Sequence, residues 1–223
     1  TTNVWHHIVT VYSSSTNKVT FYLDGIANGT SAALGSWAAS TVSVALGRWG
    51  ENNNFYFNGK IDDARIYNRT LSTAEVMELY KMGGGKVNKT DTVRPTLKSG
   101  LVGHWTFDGM DTTVNTTTDR SGSGNNGVRT STTVAPGKIG QAMKFNGTTG
   151  IVRVGQDLFE TQNVGTFSAW INMSSFALTN YIFASTVLAD GGQLLDFAVG
   201  TNGRLTFQHF YSGAGNNNAF SGH

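Results

Sequence analysis

The sequence predicts an all-β fold, an antiparallel sandwich with one short helix. Three observations carry that prediction. Short runs alternate apolar and polar residues with a period of two, the spacing of a strand with one buried face. Turn formers separate them: the 223 residues include 28 glycines but only 2 prolines, and serine, threonine and asparagine are plentiful. Charged residues are 13% of the chain, about half the usual share. Sandwiches of this length are routinely single domains, so length alone does not require two.

The elements follow in order. Residues 4–25, V-W-H-H-I-V-T-V-Y-S-S-S-T-N-K-V-T-F-Y-L-D-G, read as two strands and a turn. Trp5, His7, Val9 and Val11 point one way; His6, Ile8, Thr10 and Tyr12 point the other. Residues 13–18 are a polar turn, 19–23 alternate again, and Asp24-Gly25 is a hairpin dipeptide. Residues 29–40 read as a loop holding Trp37. A short strand at 42–46 leads to Gly47-Arg48-Trp49-Gly50 and a polar tip at 51–54. Residues 60–67, K-I-D-D-A-R-I-Y, read as a strand. Strict alternation places Ile61, Asp63, Arg65 and Tyr67 on one face and Asp62, Ala64 and Ile66 on the other.

The helix is predicted at 71–82. Ser72 with Glu75 three residues later forms a capping box, Leu71 can staple onto Val76, and Val76, Leu79 and Tyr80 make the apolar stripe. Gly83-Gly84-Gly85 stops it. Residues 83–100 then read as a linker, with Lys86, Lys89, Arg94 and Lys98 against one acid, Asp91. A second strand-rich block follows, with strands at 101–107, 137–145, 151–154, 166–173, 181–185, 194–199 and 204–210. Residues 119–127 are a tight turn, and 216–223 read as a loop.

Composition also excludes functions. A net charge of +2 is too small to point to nucleic acid or to an anionic membrane. No apolar run is long enough to span a bilayer, so membrane insertion is not expected. With no cysteine there is no disulfide and no thiolate metal site. Asn28, Asn68, Asn88, Asn115, Asn146 and Asn172 each begin a sequon, a candidate glycosylation site in an exported protein.

The ordered motifs resemble a known family. G-L-V-G-H-W-T-F-D-G (100–109), D-R-S-G-S-G-N-N-G (119–127), P-G-K-I-G-Q-A-M-K-F-N-G (136–147) and F-S-A-W-I (167–171) resemble the opening half of a laminin-G-like, concanavalin A-like jelly roll. W-H-H-I-V-T-V-Y (5–12), V-T-F-Y-L-D-G (19–25), L-G-R (46–48), F-N-G-K-I-D-D-A-R-I-Y-N-R-T-L-S (57–72) and A-E-V-M-E-L-Y (74–80) resemble its closing half. The closing half, 1–82, thus precedes the opening half, 101–223, with 83–100 as spacer. The resemblance implies a two-sheet antiparallel jelly roll, circularly permuted or cut mid-domain. Reading His223 into Thr1 restores a whole domain. That splice, with no initiator Met and no leader-like start, favours one period of a tandem array over a permutant or a two-domain fragment. A half sandwich exposes open strand edges and an apolar face, so the halves are expected to meet, within one copy or between neighbours. Between neighbours they would build a filament by strand sharing.

Chemistry is sparse. A retaining glycanase needs two carboxylates about 5–5.5 Å apart. Glu75 and Glu78 belong to the helix, Glu51 and Glu160 are isolated, and Asp62-Asp63 are adjacent and diverge on a regular strand. No catalytic residues are predicted. His6 and His7 lie on opposite faces and cannot share a metal, and His104 and His209 stand alone. By the resemblance, a structural calcium ion would sit between the 119–127 turn and the I-D-D strand, with Asp119, Asn125 and Asp62 as ligands and Asp108 as a further one. The competing reading has Asp119 organising its own glycine turn and Asp62 pairing with an arginine. Glycans stack on exposed aromatics, and 48–56, R-W-G-E-N-N-N-F-Y, mixes aromatics with amides. Trp49, Asn53, Tyr56 and Trp37 are the candidates there, against a reading in which Trp49 and Tyr56 only cap the sandwich end. The expected role is a non-catalytic extracellular or cell-surface structural or adhesive repeat unit whose partners are copies of itself. The alternative is a carbohydrate-binding module of a larger secreted or surface protein.

Overall fold

The computed structural model describes residues 1–34, 44–49, 55–84, 95–155, 158, 164–185, 194–211 and 215–221. The chain opens with β1 (Trp5–Ser13), β2 (Lys18–Leu23), β3 (Ile26–Thr30), β4 (Val44–Leu46) and β5 (Asn58–Tyr67). Helices α1 (Thr73–Gly84) and α2 (Pro95–Lys98) follow. Next come β6 (Leu101–Trp105), β7 (Thr116–Thr117), β8 (Gly127–Thr130), β9 (Thr133–Pro136), β10 (Gln141–Asn146) and β11 (Ile151–Val154). The chain closes with β12 (Gly165–Met173), β13 (Asn180–Ser185), β14 (Leu194–Val199), β15 (Leu205–Tyr211) and β16 (Gly215–Phe220).

Two eight-stranded antiparallel sheets form. Sheet 1 runs β3-β2-β1-β12-β5-β10-β9, with β6 beside β10 on the same side of β5. Sheet 2 runs β16-β15-β14-β13-β4-β11-β8-β7. The two blocks interleave in both. β12 lies between β1 and β5, and β4 lies between β13 and β11. The halves therefore meet within one chain, and each covers the apolar face the other would leave open. The core between the sheets takes Ile8 and Phe21 from the first block and Trp105, Phe145 and Phe183 from the second.

A second apolar layer lies on the far side of sheet 1. Val9, Val11 and Tyr67 face outward there and pack under Val76 and Leu79 of α1 and Leu97 of α2. This explains why β1 is buried on both faces. The capping box forms as expected: Glu75 N–H donates to Ser72 Oγ at 3.3 Å, and Ser72 N–H donates to Glu75 Oε2 at 2.9 Å. The helix runs to Gly84, past the expected stop, and Gly83 packs flush on Trp170, where a β-carbon has no room.

Four further expectations change. First, β5 does not alternate strictly. Its register against β12 slips between Ser168 and Trp170, and Asp63 takes φ 48°. That bulge inserts one residue, so Ile61, Ala64 and Ile66 all reach the core while Arg65 and Tyr67 face out. Asp62 and Asp63 then lie on the same outer side rather than diverging. Second, residues 137–140 are a turn, closed by Gly137 N–H to Gly140 O, and the strand starts at Gln141. Third, 216–220 are in β16, paired along β15, rather than a loop. Fourth, Ile26–Thr30 is an edge strand after the Asp24-Gly25 turn, whose φ values of 51° and 79° are those of a tight hairpin.

Candidate functional site

Gly47 sets up the candidate site on the outer side of sheet 2. It follows β4 with φ 86°, and a β-carbon there would collide with the Phe145 ring. The chain turns, and Arg48 bridges to Tyr56 while Trp49 N–H donates to Phe55 O at 3.0 Å. Trp49 stands edge-on to Phe55 with ring centroids 5.4 Å apart and lies 5.7 Å from Tyr181 of β13. Phe55 and Tyr181 complete the cluster at 5.8 Å. Trp49, Phe55 and Tyr56 are half-buried.

Under the aromatics lies Asp196, in the middle of β14. It is fully buried, and Trp49 Nε1–H donates to its Oδ2 at 3.0 Å. Its Oδ1 has no hydrogen-bond partner. Burial raises its pKa well above the usual carboxylate range, and the single indole bond only partly opposes this. Burial, helped by nearby Asp196, also pushes the Tyr181 hydroxyl up. The result is an aromatic, partly open surface with a buried carboxyl group fixing the indole.

Of the predicted ligand-binding residues, Trp49 stands in this cluster, while Tyr56 pairs along the backbone with Arg48 beside it; Trp37 and Asn53 lie outside the described residues. Sequence reasoning missed Asp196. The available signal was a single acid inside the otherwise apolar run L-L-D-F-A-V.

The four candidate calcium ligands fall into two pairs. Asp119 accepts from His104 N–H, Ser121 N–H, Ser121 Oγ–H and Asn125 N–H, all at 2.7–2.9 Å. Asn125 donates its own amide to Val102 O at 2.7 Å. Asp119 thus holds its turn together with its own oxygens, and Asn125 ties the turn to β6 through its amide nitrogen. Asp62 and Asp108 instead bracket the 137–141 turn: Asp62 Oδ2 accepts from Lys138 and Ile139 N–H, and Asp108 Oδ1 from Gln141 N–H. Asp62 is fully buried with Oδ1 unpaired, and burial raises its pKa to about 7 against those two backbone donors. No described hydrogen bond joins one pair to the other. Among the described residues, no group of three or more His, Asp or Glu side chains is placed to share an ion.

Other polar groups are committed elsewhere. Glu75 is held by Arg69 at 2.7 Å. Asp63 takes Arg65 at 3.0 Å and His104 at 2.6 Å, both on Oδ1. His7 is buried against Ser168 Oγ at 3.0 Å, and burial lowers its pKa to about 4. His6 turns the other way and pairs with Asp24 at 2.9 Å.

Among the sequons, Asn115 and Asn146 are exposed, and Asn28, Asn68 and Asn172 are half-buried in or beside strands. Asn146 is already spent on its turn, with Oδ1 accepting from the N–H groups of 148, 149 and 150. Asn88 lies outside the described residues.

Among the described residues no helix is long and apolar enough to cross a membrane. Comparison with curated proteins finds no match. Residues 1–77 match the family Laminin_G_3, described as the concanavalin A-like lectin/glucanases superfamily. The matched segment holds β1–β5 and the first residues of α1, and the two-sheet antiparallel sandwich it completes with the second block is concanavalin A-like.

Proposed function

We propose that this protein is a non-catalytic binding module acting outside the cell, and that its ligand is a glycan received at the half-buried rings of Trp49 and Phe55, backed by Tyr181. The observation that carries the reading is the half-buried aromatic cluster whose tryptophan is fixed by buried Asp196. Sugar rings stack on aromatic faces, and a pre-oriented indole loses little freedom on binding. Low charge and the laminin-G-like match support the extracellular setting. Calcium enters this reading only at Asp62 and Asp108, where an unpaired oxygen stands beside a second carboxylate.

The test is a glycan array probed with the full chain and with Trp49→Ala. The expected result is retention on a subset of glycans by the full chain and its loss, by about tenfold or more, in the variant. A folded protein that no glycan retains sinks the reading.

The edge strands favour a second reading, a repeat unit in a fibre, stalk or adhesin. β3 ends sheet 1 as a largely exposed strand, with Ile26 67% exposed. Open edges of this kind pair with other chains. Interleaving within one chain leaves no half sandwich for a neighbour to complete, so assembly would proceed edge to edge. Light scattering across a concentration series distinguishes a monomeric module from such a polymer.

A further inference from the structure

A cavity of about 330 Å³ opens on the other side of the molecule, between β5, β6, the end of α1 and α2. Its walls are apolar: Tyr67, Leu97 and Leu101, with Met82 at one end. Among the described residues its polar lining is Arg65, Lys98 and Arg120 with His104 and Ser121, and it includes no carboxylate.

Arg65 is the notable member. It is 6% exposed. Its Nη2 donates to Asp63 at 3.0 Å, but Nη1 faces only the Met82 sulfur at 3.8 Å. A thioether is a weak acceptor for a buried guanidinium, and methionine is flexible enough to give way. His104 Nε2 shares the same Asp63 oxygen at 2.6 Å, so Arg65 does not have that carboxylate to itself. Arg120 is held by Asp111. Lys98 is exposed and has no ion-pair partner among the described residues. The cavity therefore offers an unspent donor, excess positive charge and an apolar floor.

We infer that this cavity binds a small amphiphilic anion. The acidic head replaces the Met82 sulfur at Arg65 Nη1, Lys98 adds charge at the mouth, and the apolar body lies along Tyr67, Leu97 and Leu101. The size falls at the lower end of small-molecule pockets. A carboxylate and a phosphate head satisfy the same donors, since Arg pairs with either. The site lies on the opposite sheet from the aromatic cluster, so neither inference depends on the other.

The experiment titrates the full chain with octanoate and with octyl phosphate by calorimetry, with 1-octanol and inorganic phosphate as controls. The expected result is saturable one-to-one binding of at least one amphiphile and of neither control. Comparison of the two arms identifies the preferred head. Lys98→Glu weakens binding about fivefold, the size of an exposed charge contact. Met82→Phe fills the cavity and abolishes binding. If Met82→Phe does not fold, Lys98→Glu still decides. Absence of saturable binding by both amphiphiles overturns the inference. So does 1-octanol binding as tightly, or an unchanged affinity in Lys98→Glu.

Discussion

Asp63 and Asp196 sit on the outer sides of opposite sheets, 7% and 0% exposed. Burial acts on both in the same direction, against the charge. At Asp63 the Arg65 guanidinium and the His104 ring override it and hold the pKa at about 2. At Asp196 one neutral indole N–H cannot, and the group stays protonated far above the ordinary range. Depth therefore does not decide whether a carboxylate is charged; the partners do. One region is an ion network under a helix, and the other is an aromatic surface over a buried carboxyl that meets one indole. That contrast is why the first reads as a site for anions and the second as a platform for uncharged sugar.

The comparison breaks most visibly at Asp63. Asp63→Ala leaves Arg65 buried without its carboxylate, and urea unfolding should show a loss of about 3–5 kcal/mol. Adding Arg65→Met should recover much of it; a double variant as unstable as the single one removes the ion network from the explanation. Acid probes the same pair: Asp63 has a folded pKa below its unfolded value, so its contribution is present above about pH 4 and lost as pH falls towards 2. Asp196 runs the other way. A raised folded pKa makes the native state bind the extra proton, so stability falls as pH rises above the usual carboxylate range. Asp196→Asn should raise stability at pH 8 by about 1–2 kcal/mol and flatten that slope in a pH series of unfolding curves. A destabilising Asp196→Asn at pH 8 would mean the carboxyl is ionised and paired. The smallest effect is Trp49→Phe, which keeps a ring but removes the indole donor, for about 1 kcal/mol by thermal unfolding.

Much of the fold was legible because local chemistry and tertiary packing agree in particular places. β1 alternates, β12 alternates, and they pair face to face, His7 opposite Trp170. Ser72 and Glu75 predict a helix start and make it. The misses share a cause. The Asp63 bulge depends on a partner strand far away in sequence, and no local pattern announces an inserted residue. The 137–140 turn is tied down by the carboxylate of Asp62, also distant. β16 carries an asparagine run, and its pairing with β15 is a backbone ladder that composition does not signal. The aromatic cluster was legible from the 48–56 segment, but its anchor was not, because Trp49 and Asp196 are 147 residues apart.

The interleaving of the two blocks also sets a timetable for synthesis. β1 emerges from the ribosome well before its neighbour β12, which is 161 residues away by the His7–Ser168 bond. Until that partner is translated, an apolar ribbon waits with one edge bare. Such distant pairings make folding slow and expose sticky intermediates. A nascent chain stalled before residue 165 should therefore be captured by chaperones, while one stalled after the last strand should not.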